Sequence, residues 1–452
     1  MKVAKFGGSS VADANMLKKV ANIIVSDPKR KFIVVSAPGK RNKEDIKVTD
    51  LFIELGNNFA SGKPIEDAKT NILVRFQTML ENLKLSTELL DEIDESINQV
   101  LHNDSLKTNR LDSLKAMGED TLAKVLSLYL QSLGYDASYV NPKEAGILVS
   151  DQPGDAQVLE ESYDRLFELN DREGILVIPG FFGYTPDGAL MTFPRGGSDI
   201  TGSIVAAGVK AELYENFTDV DSVYCVNPNI VSNPREIKVL TYKEMRELSY
   251  AGFSVFHDEA LIPAFKAKIP VCIKNTNNPN QPGTMIVSER EVDPNTPVMG
   301  IASDAGFLSI YVSKYLMNRE IGFGKNLLQI LVDEGISFEH APSGIDDMSV
   351  IIRENQLPIE KEKVVIERIQ NELKVDTVTI ERGLAMIMLV GEKMNSTPGV
   401  ASKATTAFEN ANVNIVMINQ GSSEVSMMFG IKEKGLEPAV QSLYEIFFQN
   451  LN

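Results

Sequence analysis

Phe193-Pro194-Arg195-Gly196-Gly197-Ser198-Asp199 is the stretch on which the reading of this 452-residue chain turns. Arg195 carries five donors in a planar fork shaped for a carboxylate or a phosphate. Gly196 and Gly197 let the backbone close on a ligand with N–H groups turned toward it. Ser198 or Asp199 then caps a helix expected over Ile200–Lys210, an Ala- and Val-rich run behind a capping residue. The free N–H groups of such a terminus attract anions. Taken alone, the segment reads equally as a Gly-rich turn with one exposed arginine. A second glycine pair changes the balance: Lys5-Phe6-Gly7-Gly8-Ser9-Ser10 follows a strand expected over Met1–Phe6.

Together the two loops describe a phosphoryl-transfer site. Lys5 is a strand-borne cation for phosphate oxygens, and Gly7, Gly8 and Ser9 supply N–H and hydroxyl donors beside it. A solvated lysine at a strand edge is the alternative for Lys5. The segment is not a Walker A loop, in which the lysine follows the glycines.

Composition narrows the function class. The net charge of −17 argues against nucleic-acid binding, which needs clustered Lys and Arg, and against anionic membranes. No apolar run approaches a membrane span, and the N-terminus begins with a strand rather than a signal peptide. Cys225 and Cys272 read as buried thiols in a reducing cytoplasm. Three histidines and no Cys/His cluster leave no zinc site, and no dedicated metal ligand set is expected.

Short apolar runs alternate with helical patterns through the first 290 residues: Phe32–Ser36, Ile175–Ile178 and Pro270–Ile273 read as buried parallel strands. Asn15–Val25 is amphipathic. The fold class is therefore α/β, a mostly parallel sheet between helix layers. From about Val48 to Leu133 helical patterns dominate, notably Leu89–Leu101 and Leu114–Leu130, which marks a helical subregion. The last third repeats itself at a shift of 77 residues, laying Gly322 on Gly399, Gly344 on Gly421, Ser349 on Ser426, Leu331 on Phe408, Ile336 on Val413 and Ile351 on Met428. So long a period marks a duplicated small α/β domain rather than a solenoid. Copy one runs past its second helix (Ile359–Leu373) into a strand, Thr377–Ile380; copy two lacks that strand, and Val298–Ala302 is placed to supply it.

Ordered motifs spread along the chain, KFGGSS at 5–10, VVSAPG at 34–39, MGED at 117–120, FPRGGSD at 193–199, FTDVDSVYCVNP at 217–228, SYAGFSVFHDEALIPA at 249–264 and VNIVMINQGSSEVSMMFGI at 413–431, resemble the amino-acid kinase fold and specifically aspartate kinase, monofunctional, with tandem ferredoxin-like ACT domains. The resemblance implies a catalytic domain over 1–296 with its helical subregion at 48–133, ACT domains over 304–381 and 382–452, and strand 297–303 completing the second. It implies ATP and L-aspartate as substrates, 4-phospho-L-aspartate as product for lysine, threonine and methionine synthesis, and Mg²⁺ carried on the phosphates.

On that resemblance Arg195 clamps an aspartate carboxylate and Ser198 adds a donor. Glu119, otherwise an ordinary helix glutamate, receives the substrate ammonium, and Thr49 is a further substrate contact. Asp199 organises the loop by bonding its neighbours or holding Lys5, with a metal-ligand role as the alternative. Thr218, Asp219 and Tyr224 border the nucleotide. Asn229 and Asn277 stand where some relatives carry basic phosphate contacts, and Lys274 is the nearby substitute. Gly322-Phe323-Gly324 is not a nucleotide loop, lacking a third glycine. It opens an ACT helix whose effector pocket would include Ser337, Phe338, Glu339, Asp346 and Asp347. The carboxylates suit lysine as feedback inhibitor, with threonine second; a solvated hairpin tip is the alternative for Asp346 and Asp347. Met386, Met388, Met417, Met427 and Met428 are expected as core, and His257 and His340 as structural. A homodimer or larger assembly through the ACT domains is implied. The rivals are a sister kinase acting on another acid and a silent amino-acid sensor.

Overall fold

The computed structural model describes residues 1–106, 108–253, 258–291, 296–420 and 425–449. In chain order the first part gives strands β1 (Lys2–Phe6), β2 (Arg30–Val35), β3 (Ala137–Tyr139), β4 (Ile175–Pro179), β5 (Phe182–Tyr184), β6 (Leu190–Thr192), β7 (Leu213–Thr218), β8 (Val223–Tyr224), β9 (Glu236–Ile237), β10 (Val239–Thr241), β11 (Val271–Asn275) and β12 (Thr284–Val287). Its helices are α1 (Ala14–Val25), α2 (Val48–Ala60), α3 (Glu66–Leu83), α4 (Leu89–His102), α5 (Arg110–Ser132), α6 (Pro142–Ala145), α7 (Glu161–Glu168), α8 (Gly197–Gly208), α9 (Tyr242–Tyr250) and α10 (Ile262–Lys266).

Among the described residues the main sheet runs β10-β12-β11-β7-β1-β2-β4-β3, parallel except where β11 meets β12. Phe32, Ile33, Val34 and Val35 are fully buried, as strands covered on both faces must be. Asp13 starts α1 by accepting the Met16 N–H at 2.9 Å, and Leu17, Val20, Ala21 and Ile24 then face inward. The helical subregion is α2 to α5, whose apolar faces share one core with α1 and Phe6. Strand order reverses around β1, flanked by β2 and β7, so a crevice opens at the carboxyl ends of these parallel strands.

One expectation is corrected here. The helix expected over Ile200–Lys210 begins at Gly197, and its cap is Gly196 in the left-handed region at φ 77°. Ser198 and Asp199 therefore sit inside the first turn and do not cap it. Glycine takes that conformation at little cost, which leaves the Asp199 side chain to another partner.

The remainder of the chain gives β13 (Gly300–Ser313), α11 (Phe323–Asp333), β14 (Asp347–Arg353), α12 (Ile359–Leu373), β15 (Thr377–Val390), α13 (Val400–Asn410), β16 (Ile415–Asn419), β17 (Ser426–Lys432) and α14 (Leu436–Tyr444). The sheet order is β14-β13-β15-β17-β16, antiparallel throughout. The 77-residue shift is written into the backbone. Positive φ recurs at Gly306 and Gly383, Leu316 and Lys393, Gly322 and Gly399, and Gly335 and Asn412. Gly300–Ala305 pairs with Val390–Ala385, beside β17; after the irregularity at Gly306 the same strand pairs with Thr377–Leu384 and with β14. Two long strands thus serve both copies. Met386, Met388, Met427 and Met428 are buried core, while Met417 on edge strand β16 is half-buried. His257 and Gly421 lie outside the described residues.

By compactness, Met1–Val223, Glu236–Arg246 and Ser254–Arg290 form one unit, and Tyr224–Arg235, Glu247–Phe253 and Glu291–Asn452 form the other.

Candidate active site

Lys5 lies at the buried end of β1, where the Lys5 Nζ meets Asp199 Oδ1 at 2.5 Å. Asn216 Nδ2 donates to the same carboxylate oxygen at 2.5 Å, and the Tyr214 hydroxyl donates to the Asp199 carbonyl at 3.2 Å. Register explains the meeting. Lys5 pairs with Asn216 across adjacent parallel strands, so both side chains leave the same face, toward the first turn of α8. Of the readings of Asp199, the geometry displays the contact with Lys5. Among the described residues no cluster of three potential ligands could hold a metal ion.

The phosphate loop needs one amendment. The Gly7 N–H is taken by the Phe217 carbonyl at 3.0 Å, so it tethers the loop to β7. Gly8 and Ser9 open a 3₁₀ turn (Gly8–Val11), whose leading N–H groups have no intrahelical acceptor. Ser10 is fixed beneath them by the Thr276 hydroxyl at 2.7 Å. The loop after β2 lies directly against this turn, with the Gly39 N–H bonded to Gly8 O at 2.9 Å. A Cβ at Gly39 would stand 2.6 Å from the Gly8 carbonyl carbon, so any side chain there displaces the cradle.

Glu119 is buried on α5, and its Oε2 has no hydrogen-bond partner. Burial pushes its carboxyl up to about 8, against opposing pulls from the backbone N–H groups of Ala37 and Glu119 and from the Lys5 ammonium. Its unengaged oxygen thus lies buried within the field of the Lys5 ammonium. Arg195 is its opposite: exposed on the turn before α8, with no hydrogen bond or ion pair among the described residues. Ser198 is buried against Gly180, close behind that turn. Thr49 sits half-buried in the first turn of α2, whose Val48 N–H is tied to Pro38 O at 3.1 Å.

On the nucleotide side, Thr218 ends β7 and its hydroxyl donates to Asp219 at 3.2 Å. Lys274 pairs with Phe217, and Phe217 with Phe6, so alternation puts Lys274 on the face opposite Lys5. The sheet thus does not bring Lys274 and Lys5 together. Asn277 accepts from the Lys19 ammonium at 2.8 Å, which places a basic group where the sequence showed none. Tyr224 and Asn229 belong to the other compact unit.

The effector residues divide. Gly322 caps α11 at φ 88°, whereas the Phe323 side chain is buried with Ile336 and Met348 and so packs the core. Ser337 donates to Gln356 Oε1 at 3.0 Å, and Phe338 is exposed. Glu339 receives the Tyr250 hydroxyl and faces Arg353 Nε at 3.5 Å, which ties it away from the α11 loop. Asp346 accepts the Leu316 N–H at 2.8 Å and so fixes the loop leading to α11; Asp347 folds over Gly344, and Gly324 faces Met348. His340 is half-buried beside Asn419, with its pKa lowered by burial.

Asn216 and Asp112 were not singled out in the sequence, and the Ala37–Gly39 turn appears there only within the VVSAPG motif, with no role given. The strongest missed signal is Asn216, one residue before the quoted FTDVDS motif.

Comparison with known proteins agrees with this architecture. The amino acid kinase family model matches residues 1–275, and an ACT domain model matches 387–447. Aspartokinase 3 of Bacillus subtilis (strain 168) is 54% identical over 449 residues, covering 99% of each chain. The crystal structure of Clostridium acetobutylicum aspartate kinase superposes with a TM-score of 0.88 at 38% identity, over 99% of this chain and 100% of that one. Escherichia coli aspartokinase III, crystallised with aspartate and ADP, has a TM-score of 0.80 at 24% identity over 99% and 100%, a likeness of fold. With Lys5, Asp199 and Glu119 gathered at the carboxyl edge of the sheet and the whole length matched, the chain belongs to the amino acid kinase family and, within it, to the aspartokinases.

Proposed function

We propose that this enzyme transfers the γ-phosphoryl group of ATP to the side-chain carboxylate of L-aspartate, giving ADP and 4-phospho-L-aspartate. The observation that carries the reading is the buried Lys5–Asp199 pair beside a buried Glu119 with an unengaged oxygen. An aspartate oxygen attacks the γ-phosphorus as the bond to the ADP oxygen breaks. Little covalent help is needed; charge cancellation and alignment supply the rate.

Lys5 is held by Asp199 and Asn216 with its charge directed at the transferring group. Gly8 and Ser9 receive phosphate oxygens. Glu119 binds the α-ammonium, and Arg195 closes over a carboxylate from the solvent side with Ser198 and Thr49 alongside. Thr218 and Asp219 border the nucleotide. Mg²⁺ would ride on the phosphates and offset their charge, since Asp199 is already engaged and no carboxylate cage is present among the described residues.

Regulation is proposed at the C-terminal repeat, read as two ACT domains over 304–381 and 382–452 with 297–303 completing the second. The supporting features are the paired backbone signatures and the ACT match to copy two. Lysine is the favoured effector, threonine the second, in a cytoplasmic homodimer or larger assembly.

The test is ADP release with aspartate, glutamate or no acceptor, each with and without lysine or threonine. Aspartate-dependent turnover that Lys5→Ala abolishes is expected. Turnover with glutamate alone, or none, overturns the reading.

A further inference from the structure

The reaction requires two receptors at a fixed separation, Glu119 for the ammonium and Arg195 for a carboxylate. Glu119 is built into α5, whereas the Arg195 side chain has no hydrogen bond or ion pair among the described residues. Its turn is fixed to α8 through Gly196 O, which accepts the Asp199 and Ile200 N–H groups, and to the residue preceding β5 through the Phe193 N–H, which donates to Phe181 O at 2.9 Å. The link from this strand to α5 itself lies two helical turns before Glu119. Asp112 is buried on α5, and its Oδ2 accepts two backbone N–H bonds, from Gly154 at 2.7 Å and Thr192 at 2.9 Å. Its Oδ1 faces the Lys115 ammonium at 3.3 Å. Thr192 ends β6, three residues before Arg195. One turn earlier on the same helix, Asn109 Nδ2 donates to the Leu190 carbonyl of β6 at 3.1 Å.

A carboxylate acting only as a core ion-pair partner would be satisfied by Lys115. Asp112 instead gathers N–H groups from two separate loops at one oxygen, one of them on the strand that delivers the arginine. Seven residues along a helix return to nearly the same face about 10 Å away. Asp112 and Glu119 therefore lie along one edge of a single rigid element.

We propose that Asp112 is a positioning residue: it clasps the strand leading to Arg195 onto the helix that carries Glu119, so that α5 sets the span between the two aspartate receptors. This rests on the proposed function of those receptors. The span then contributes to discrimination against an acid one methylene longer, a difference worth roughly 10–200-fold in a well-fitted site.

The experiment compares Asp112→Asn, Asn109→Ala and Lys115→Ala in the full-length enzyme, with kcat and KM measured for aspartate, glutamate and ATP and melting temperature recorded. In Asp112→Asn the remaining amide oxygen can still accept both N–H groups, but the negative charge that strengthens these two bonds is gone. The aspartate KM is expected to rise about tenfold or more, with the ATP KM within about twofold and a narrowed preference for aspartate over glutamate. Asn109→Ala, a milder loosening of the same strand, shifts the aspartate KM in the same direction by less. Lys115→Ala leaves the clasp and all three KM values in place. The proposal is overturned by an unchanged aspartate KM in a less stable Asp112→Asn enzyme, by equal rises for aspartate and ATP, or by Lys115→Ala reproducing the effect. Should Asp112→Asn not fold, the aspartate-to-ATP KM split in Asn109→Ala decides. A wild-type enzyme without aspartate-dependent ADP release would instead sink the proposed function, before any variant is read.

Discussion

The catalytic crevice and the loops of the C-terminal repeat are both made of glycines, acids and a few cations, yet they use them in opposite ways. In the crevice most of the ionisable groups are held in place by the fold, Lys5 by Asp199, Asp199 by Asn216 and Glu119 in a desolvated slot, and only Arg195 stands exposed. In the repeat the acids face solvent or brace turns, as Asp346 does at Leu316, and large apolar groups such as Tyr315, Ile321 and Ile345 stand exposed around them. A site for chemistry needs its electrostatics arranged beforehand. A site that reported ligand would instead need two conformations of differing affinity.

The largest effect that would break this contrast is at Lys5. Lys5→Ala removes the cation from an arranged site and leaves Asp199 buried without its partner; kcat is expected to fall about 10³-fold, in the range seen when a single aligned charge donor is lost. Steady-state ADP release against ATP and aspartate measures it. A drop of less than tenfold would mean that the pair is structural.

Glu119 sharpens the comparison, because function and stability pull it in different directions. Its folded pKa of about 8 exceeds the usual carboxylate value, so its contribution to stability is fully present at acid pH and is lost as pH rises through about 8. Ionising it costs the fold on the order of a few kcal/mol. Glu119→Gln, uncharged at every pH, is expected to raise the melting temperature above wild type at pH 8–9 and to match it near pH 4. The same change raises the aspartate KM about 10²-fold by removing the ammonium's partner. Thermal melts across pH, paired with kinetics, test both halves; equal melting curves at pH 9 would remove the argument from burial.

The same group predicts a proton balance. At pH 7 the empty site keeps Glu119 mostly protonated, and the arriving ammonium favours its ionised form. Aspartate binding should then release close to one proton per site, diminishing toward pH 9. Calorimetry in two buffers of different ionisation enthalpy reads the number directly. Zero release at pH 7 would place the ammonium elsewhere.

How much of this was legible in the sequence follows the same contrast. The parallel strands, the helical subregion and the 77-residue repeat announce themselves through burial and turn chemistry, which are local. Lys5 was readable because its strand and glycines adjoin it. Asp199 was read both as a candidate helix cap and as a group that could hold Lys5; the cap fails because Gly196 fills that place, which nothing local announces. Glu119 looked like any helix glutamate; its proposed role depends on burial, a product of packing by residues far away in sequence. Asn216 and Asp112 escaped for the same reason: each acts across a distance of 17 or 80 residues. In the effector loop, Phe323 looked available beside two glycines, and only the core with Ile336 and Met348 explains why its ring is buried.

The smallest expected effect tests whether the two copies of the repeat are equivalent as backbones while differing as surfaces. Gly306 and Gly383 mark the points where β13 and β15 pass from one copy to the other, at φ 82° and 71°, and a Cβ on either would meet nothing within 4 Å. Replacement by alanine therefore costs only the left-handed backbone, about 1 kcal/mol each. The two glycines flank the Phe307–Leu384 pair, with a register shift on either side of it, so the costs should add to less than their sum if one bend relaxes the other. Denaturant melts of both single variants and the double variant measure it, with aspartate turnover unchanged in all three. A loss several times larger in one copy than in the other would mean that the shared bend belongs to one domain's sheet, and that the second merely borrows it.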